Sequence, residues 1–251
     1  MRMRNRHLNP ENYGAGLVLD ARYINQSDDT AVSTWLDKSG NSRDATQGSA
    51  TNQPTFQSQE VGGCGVVRFD GSDDFLEITT GMDLLKNVAG ATCISVRKLN
   101  ATGADRCIFI ATVSGSTNSR FFIGQGGSGG NNYITLVRRL DADSSSFAND
   151  STPKTNTNFV IQSGSVNYAG GGAGAIIAFQ NGSSATSASL SSTGNTSNTN
   201  STAIRIGRNA ANLQAFNGDI SLVAVFGSLL SGAVRKRLEH AAAYSFKISC
   251  N

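Results

Sequence analysis

The sequence is poor in charge, proline and histidine, and it contains no long apolar run. Charged residues make up 16% of the 251 residues, and only three prolines and two histidines are present. Three prolines provide no Pro-rich tract that could link domains, so we expect one main folding unit. No stretch of 18 consecutive apolar residues occurs, and the sequence therefore predicts no membrane-spanning helix.

The residue patterns of common hydrolases and nucleotide-binding proteins are also missing. Four glutamates are present, namely Glu11, Glu60, Glu77 and Glu239. Their separation along the chain does not match the paired carboxylates of a retaining glycosidase. No Gly-x-Ser-x-Gly elbow accompanies the two histidines, and no glycine run is followed by Gly-Lys-Ser/Thr. We therefore predict that the protein is not an enzyme.

Four cysteines are present without any Cys-x-x-Cys pair, at Cys64, Cys93, Cys107 and Cys250. Free, structural thiols are the favoured interpretation, because unpaired cysteines tend to be buried. A disulfide between Cys93 and Cys107 is the alternative. With only two histidines to help as ligands, a zinc site is not expected.

What the sequence has in abundance is glycine, with 28 residues, together with serine, threonine and asparagine. This profile is typical of an all-β protein with many polar loops. Period-two alternation and apolar runs between turn signals predict strands. The predicted strands cover residues 17–21, 91–99, 107–113, 119–124, 133–140, 158–166, 174–179, 203–208 and 218–226. Residues 183–202 are interpreted as either a weakly structured loop or a solvated edge strand.

Two short motifs predict local structure more specifically than these strand patterns do. Asn181-Gly182 is typical of a hairpin turn. Ser231 is expected to cap a helix whose apolar face contains Val234, Leu238 and either Ala241 or Ala242, with residues 235–237 directed to solvent.

The stretch 32–78 organises the rest of the chain. It contains Trp-Leu-Asp-Lys-Ser-Gly-Asn at 35–41, Gln-Pro at 53–54, and Arg-Phe-Asp-Gly-Ser-Asp-Asp at 68–74. β-Forming residues flank the Asp-Gly-Ser-Asp-Asp segment, and Gly71 is free to take a positive φ. We therefore expect two strands joined there as a hairpin.

These motifs resemble the laminin-G-like branch of the concanavalin A-like lectin and glucanase superfamily. Residues 204–208 and 216–220 are similar to the closing strands of that family, and the basic helix with Glu239 is similar to its terminal helix. The resemblance implies a concanavalin A-like jelly-roll sandwich of two antiparallel sheets with one short C-terminal helix. Because this fold hosts lectins, adhesins, hydrolases and structural modules, the resemblance predicts the fold rather than the function.

The predicted domain occupies residues 14–251, and residues 1–13 form a basic N-terminal arm. Arg2, Arg4 and Arg6 are candidates for docking on a neighbouring protein, and a solvated tail is the alternative. The segment lacks the apolar run of a secretory signal. The formal net charge of +3 is too small to predict nucleic-acid binding.

Three acidic side chains are candidate calcium ligands. Asp70, Asp73 and Asp74 place oxygen ligands close together, as a hard cation requires, and laminin-G-like domains often hold calcium at the rim. In the alternative, the first aspartate caps the turn and the others are solvated. No other cofactor is predicted.

Candidate glycan-binding residues are Asn131, Asn132, Tyr133 and Tyr168, which combine amides and aromatic rings near glycine-rich turns. Trp35 is a further possible platform for a sugar ring. Its motif favours a packed tryptophan instead.

Two functions follow from these observations. The first is a non-catalytic structural or adhesive component of a virion surface, such as a phage capsid decoration, head-fibre or tail-surface protein. It explains how a lectin-like protein without an export signal could leave the host cytoplasm, and its partners would be other virion proteins and further copies of itself. The second is a stand-alone carbohydrate-binding adhesion module that binds host-surface glycans.

Overall fold

The protein is an antiparallel β-sandwich with a C-terminal helix, as seen in a computed structural model. The structure describes residues 9–100, 104, 106–112, 119–126, 132–138, 145–149, 157–170, 172–190 and 203–251. Two sheets of eight strands each account for half of these residues. The all-β prediction is confirmed, with both sheets antiparallel.

Sheet A contains β1, β4, β5, β7, β12, β13, β14 and β16. These strands are Leu17–Asp20, Thr55–Val61, Cys64–Asp70, Gly90–Leu99, Val160–Asn167, Gly172–Gln180, Ser183–Leu190 and Asn217–Phe226. Their order across the sheet is β14-β13-β12-β7-β16-β5-β4, and β1 pairs with the second half of β16.

Sheet B contains β2, β3, β6, β8, β9, β10, β11 and β15. These strands are Thr34–Trp35, Ala45–Thr46, Leu76–Ile78, Arg106–Thr112, Ser119–Gly126, Asn132–Arg138, Ser145–Asn149 and Ala203–Ile206. Their order is β11-β10-β9-β8-β15-β6-β3-β2. A short 3-10 turn at Pro10–Tyr13 precedes β1, and two more, at Ala21–Tyr23 and Ala50–Asn52, lie in connections between strands.

Strand β16 shows why sheet A is covered on both faces. Val223 and Val225 belong to the core between the sheets. Leu222, Ala224 and Phe226 belong to a second core on the outer face of sheet A. Because successive side chains of a strand point to opposite faces, a continuous apolar run indicates a strand that is buried on both sides. The central position predicted for this run is confirmed.

The Asp-Gly-Ser-Asp-Asp segment corrects the hairpin prediction. β5 before it lies in sheet A, whereas β6 after it lies in sheet B, so the segment crosses from one sheet to the other. The turn is closed by side chains: Asp74 accepts a hydrogen bond from the Asp70 N–H at 2.9 Å, and Asp70 accepts one from the Ser72 N–H at 2.7 Å. Turn chemistry of this kind does not require the flanking strands to pair with each other.

The Asn-Gly hairpin is confirmed between β13 and β14. Asn181 and Gly182 both take positive φ, at 48° and 86°, as a primed turn requires. The side chain of Asn181 also accepts a hydrogen bond from the Ile161 N–H at 2.8 Å. The edge-strand interpretation is right for residues 183–190, and residues 191–202 lie outside the described residues.

Helix α1, Gly232–Phe246, lies on the outer face of sheet A, and Leu238, Ala242 and Phe246 pack into the second core. Ser231 caps the helix as predicted, accepting a hydrogen bond from the Val234 N–H at 3.3 Å. Arg235 was expected to face solvent but is buried. Its guanidinium lies 3.6 Å from the ring centroid of Phe179 and forms an ion pair with the buried Glu239. A cation can be buried here because a carboxylate one helical turn away offsets its charge.

All four cysteines are free, and the alternative disulfide is absent. Cys93 belongs to the core between the sheets, whereas Cys107 packs in a separate cluster with Ile110 and Phe122. Burial raises the pKa of both thiols, so they stay protonated and unreactive.

The predicted N-terminal arm is described only from residue 9, so Arg2, Arg4 and Arg6 lie outside the described residues. Pro10 is buried within its 3-10 turn. Arg237 of α1 donates a hydrogen bond to the Tyr13 hydroxyl at 3.5 Å. The domain boundary at residue 14 stays a prediction. None of the helices among the described residues has the length and apolar character that crossing a membrane would take.

Replacing Arg235 with Ala should strongly destabilise the protein, because it leaves the Glu239 carboxylate buried without its cation. We expect the free energy of unfolding to fall by about 3–5 kcal/mol, measured by denaturant unfolding. The double variant Arg235→Met/Glu239→Gln should regain most of this loss, because neither side chain is then charged. Lys236→Ala, at an exposed neighbouring position, is the control and should stay within about 0.5 kcal/mol of the parent. A fully stable Arg235→Ala variant would contradict this account.

Candidate functional site

A shallow pocket opens where the chain leaves β1 of sheet A and passes close to β2 of sheet B. Its volume is about 170 Å³. It is lined by Asp20, Tyr23, Ile24, Asn25, Gln26, Thr34, Trp35, Leu36 and Lys38. We call this the Tyr23 pocket. Its two walls come from segments 20–26 and 34–38, which are separated by a loop in the sequence.

The carboxylate of Asp37 holds these two segments together. One oxygen accepts hydrogen bonds from the Val18 N–H at 2.9 Å and the Ser39 N–H at 2.8 Å. The other accepts from the Ser39 hydroxyl at 2.7 Å and the Arg43 N–H at 3.0 Å. Val18 lies in β1 of sheet A, whereas Asp37 follows β2 of sheet B. The Trp-x-Asp-x-Ser-Gly-Asn motif is therefore the scaffold of the pocket.

One carboxylate that lines the Tyr23 pocket, that of Asp20, already forms an ion pair with Arg22. Asp20 is only 2% exposed. It accepts a hydrogen bond from the Arg22 N–H at 3.0 Å and forms a salt bridge of 2.5 Å with the Arg22 guanidinium. The pair offsets one negative charge and fixes Arg22 beside the pocket.

Tyr23 is the exposed aromatic residue of this pocket, with 59% of its surface accessible. The Lys38 ammonium lies 5.3 Å and the Arg22 guanidinium carbon 5.9 Å from its ring centroid, which are cation–π distances. These two cations restrain the ring without covering it. Leu36, 50% exposed, adds apolar surface to the same pocket.

Trp35 forms part of the wall but is itself buried, with 1% of its surface exposed. The packed interpretation of this residue is therefore confirmed. The indole N–H has no hydrogen-bond acceptor among the described residues.

Several hydrogen-bonding side chains accompany the aromatic ring. Asn25, Gln26 and Thr34 line the pocket and are exposed. Each amide offers both donors and an acceptor, and the hydroxyl can act as either. An aromatic face next to such groups can bind a sugar, whose C–H face stacks on the ring while its hydroxyls bond to the amides.

The predicted calcium ligands do converge. One oxygen from each of Asp70, Asp73 and Asp74 lies within 4.8 Å of the others. Asp74 is buried, Asp73 is half-buried and Asp70 is exposed. Burial, together with the neighbouring charges of Asp70 and Asp73, raises the pKa of Asp74 to about 6, although its bond from the Asp70 N–H acts in the opposite direction. The donor set fits a hard cation, which would relieve the repulsion among these carboxylates. Calcium binding at this turn stays a prediction.

The predicted glycan-binding residues do not form one described site. Tyr168 is fully buried in the core between the sheets, so its ring is not presented to a sugar. This corrects the prediction for Tyr168, because it packs inward like Val166 two residues before it. Asn132 and Tyr133 begin β10, and Asn131 lies outside the described residues.

Three of the four glutamates form ion pairs with arginine. Glu60 pairs with Arg68 at 2.9 Å. Glu77 pairs with Arg205 at 3.0 Å. Glu239 pairs with Arg235. Glu11 lies in the 3-10 turn Pro10–Tyr13. Each of these three carboxylates therefore has a structural role as the ion-pair partner of an arginine.

Sequence reasoning missed the Tyr23 pocket. Neither Tyr23 nor Lys38 is among the candidate binding residues predicted from the sequence. One usable signal is present in the sequence: Tyr23 lies two residues after the predicted first strand, residues 17–21.

Comparison with known proteins supports the fold but supplies no family. No family model and no curated protein matches the chain by sequence. Among solved structures, the botulinum neurotoxin serotype G binding domain is similar with a TM-score of 0.60 at 12% identity, over 92% of this chain and 51% of that one. The botulinum neurotoxin serotype D ligand-binding domain in complex with N-acetylneuraminic acid gives 0.63 at 12%, over 92% and 52%.

A third similar structure is domain 4 of AbnA, a GH43 extracellular arabinanase from Geobacillus stearothermophilus, in complex with arabinotriose. Its TM-score is 0.62 at 14% identity, over 91% of this chain and 99% of that domain. The chain thus spans about half the length of the two neurotoxin domains and nearly all of the arabinanase domain. At identities this low, the structural similarity establishes the shared sandwich fold alone.

Replacing Asp74 with Asn should change the pH dependence of stability. Because the folded-state pKa of Asp74 is raised to about 6, the folded protein holds its proton more tightly than the unfolded chain, and stability falls as pH rises from about 4 to about 6. The variant should match the parent near pH 3.5 and be more stable than the parent at pH 7. Melting temperatures at pH 3.5 to 7.5 measure this, with Glu11→Gln, which removes an exposed carboxylate outside this turn, as the control. A difference that does not vary with pH would contradict the account.

The Asp74→Asn variant also tests whether calcium binds at the Asp70–Asp74 turn. If the ion binds, millimolar calcium at pH 7 should raise the melting temperature of the parent, and much less that of Asp74→Asn. Equal responses of the two proteins would exclude Asp74 as a ligand.

Proposed function

We propose that this chain is a non-catalytic carbohydrate-binding module that binds sugars through the Tyr23 pocket. The observation that carries the proposal is the pocket itself, in which an exposed and restrained tyrosine ring lies beside exposed amide and hydroxyl side chains. A ligand with both an apolar face and several hydroxyls matches this lining.

Each part of the lining has a defined role in this proposal. The sugar ring stacks on the part of Tyr23 that Lys38 leaves accessible, and Leu36 extends the apolar contact. Asn25 and Gln26 bond to the sugar hydroxyls. Arg22 and Lys38 keep the ring in place, so little side-chain entropy is lost on binding. Since the pocket is open and shallow, such a module gains affinity by binding repeated sugars or by acting in several copies.

The structural comparisons are compatible with the proposal. The arabinanase domain was solved with arabinotriose and the serotype D neurotoxin domain with N-acetylneuraminic acid, and both share this fold. Fold likeness alone does not transfer a function, so the argument depends on the pocket. Adhesion through glycans is the wider role that follows from it.

The location on a virion remains a separate proposal from the sequence. It adds a place of action to a carbohydrate-binding module and does not compete with it. None of the three structures named above is described as part of a virus particle. Copurification with assembled particles at a fixed stoichiometry supports this location, and a protein that never associates with particles excludes it.

Replacing Tyr23 with Ala should weaken glycan binding about tenfold or more, because it removes the stacking surface. The ligand is identified first on a glycan array, and its affinity is then measured by isothermal titration calorimetry. Tyr23 is largely exposed, so the variant should keep the melting temperature of the parent within a few degrees.

Two controls sharpen this experiment. Tyr23→Phe keeps the ring and should retain most of the affinity. Leu213→Ala removes an equally exposed apolar side chain that does not line the pocket and should leave binding unchanged. A folded Tyr23→Ala variant with unchanged affinity would overturn the pocket as the binding site.

A further inference from the structure

The exposed side of α1 carries positive charge without any negative charge. Lys236, Arg237 and His240 are exposed on the helix, and Lys247 is exposed directly after it. Four residues along a helix advance about 6 Å, so these side chains form a row along the helix. The carboxylate of this helix, Glu239, is buried and paired with Arg235.

The end of this row meets the Tyr23 pocket. The Arg22 guanidinium carbon lies 5.2 Å from the ring centroid of Phe246, the last residue of α1, and 5.9 Å from that of Tyr23. The Cys64 thiol donates a hydrogen bond to the Ser245 carbonyl at 3.6 Å. Burial raises the pKa of this thiol, and the positive charges of Arg22 and Lys247 both oppose the increase. Because Lys247 directly follows Phe246, which Arg22 contacts, both cations lie at the junction of helix and pocket.

Four cations on this surface have no carboxylate partner among the described residues. Lys38, Lys236, Arg237 and Lys247 form no ion pair with any carboxylate of the described residues. The charge of Arg22 is offset by Asp20. The whole chain has a formal net charge of only +3, so positive charge is concentrated here relative to the rest of the molecule. We call the surface formed by Lys236, Arg237, His240, Lys247, Arg22 and Lys38 the basic face.

We propose that the basic face and the Tyr23 pocket together bind an acidic polysaccharide, with one sugar in the pocket and the carboxylates or sulfates of the following sugars along α1. This inference deepens the proposed function and rests on it. A polysaccharide is favoured over other polyanions because the basic face ends at a pocket lined by tyrosine, amides and a hydroxyl. Lys38 lies inside the pocket and provides a cation for the acidic group of the first sugar.

The test compares acidic with neutral polymers on the full chain. Heparin and polygalacturonate supply sulfates and carboxylates, and dextran and arabinan are the neutral probes. Affinities are measured by calorimetry at 0.05 and 0.3 M NaCl. We expect binding to at least one acidic polymer, weakened strongly by salt because the pairing is exposed, and weaker binding to the neutral polymers.

The matched variants are the triple change Lys236→Gln/Arg237→Gln/Lys247→Gln and the control Lys86→Gln, which removes an exposed lysine outside the basic face. An exposed ion pair contributes up to about fivefold in affinity, so the triple variant should bind the acidic polymer about 10- to 100-fold more weakly. The control should stay within about twofold of the parent, because it removes no pairing cation. An acidic-polymer affinity that is unchanged in a folded triple variant overturns the inference.

The other outcomes separate this inference from the proposed function. If neutral and acidic polymers bind alike, independently of salt, and Tyr23→Ala abolishes this binding, the acidic specificity is overturned. The Tyr23 pocket then remains the proposed sugar site. No binding of any polysaccharide overturns both. Equal or tighter binding of phosphatidylserine vesicles or duplex DNA through the same three cations overturns the assignment of a polysaccharide.

Discussion

One carboxylate determines how the two sheets meet at the end of the sandwich that carries the pocket. Asp37 accepts four hydrogen bonds, from β1 of sheet A, from its own turn and from Arg43. Arg43 in turn donates to the carbonyls of Gly16 at 2.8 Å and Gly81 at 3.0 Å, which ties in two further segments. Charged hydrogen bonds of this kind are stronger than neutral ones. The distance between the two walls of the Tyr23 pocket depends on this network, and so does any recognition that the pocket performs.

Much of the architecture could be predicted because its determinants are local. The Asn181-Gly182 turn, the Ser231 cap and the doubly buried run of β16 each follow from the chemistry of a few adjacent residues. The turn at Asp70–Asp74 shows where local reasoning stops. The same aspartates and glycine close a turn whether the next strand pairs with the previous one or crosses to the opposite sheet. Only the packing of Leu76 and Ile78 beneath sheet A decides between these possibilities.

The candidate site was harder to predict, because it is assembled from segments that the sequence separates. Tyr23 and Lys38 meet only after β1 and β2 are placed in different sheets. Arg235 was assigned to solvent from its charge, yet the carboxylate of Glu239 and the ring of Phe179 make a buried position tolerable. Tyr168 follows the end of β12 and lies in the same core as Val166. The glycine run beside it favoured an exposed position and was a poor guide.

The position of Trp35 in the wall of the Tyr23 pocket can be used experimentally. It is the sole tryptophan of the sequence, and it lies at the pocket while remaining shielded from water. Its fluorescence emission therefore originates at one known position, next to the residues that we expect to contact ligand. The molecule thus contains a native optical reporter beside the proposed binding pocket, and using it needs no dye or label.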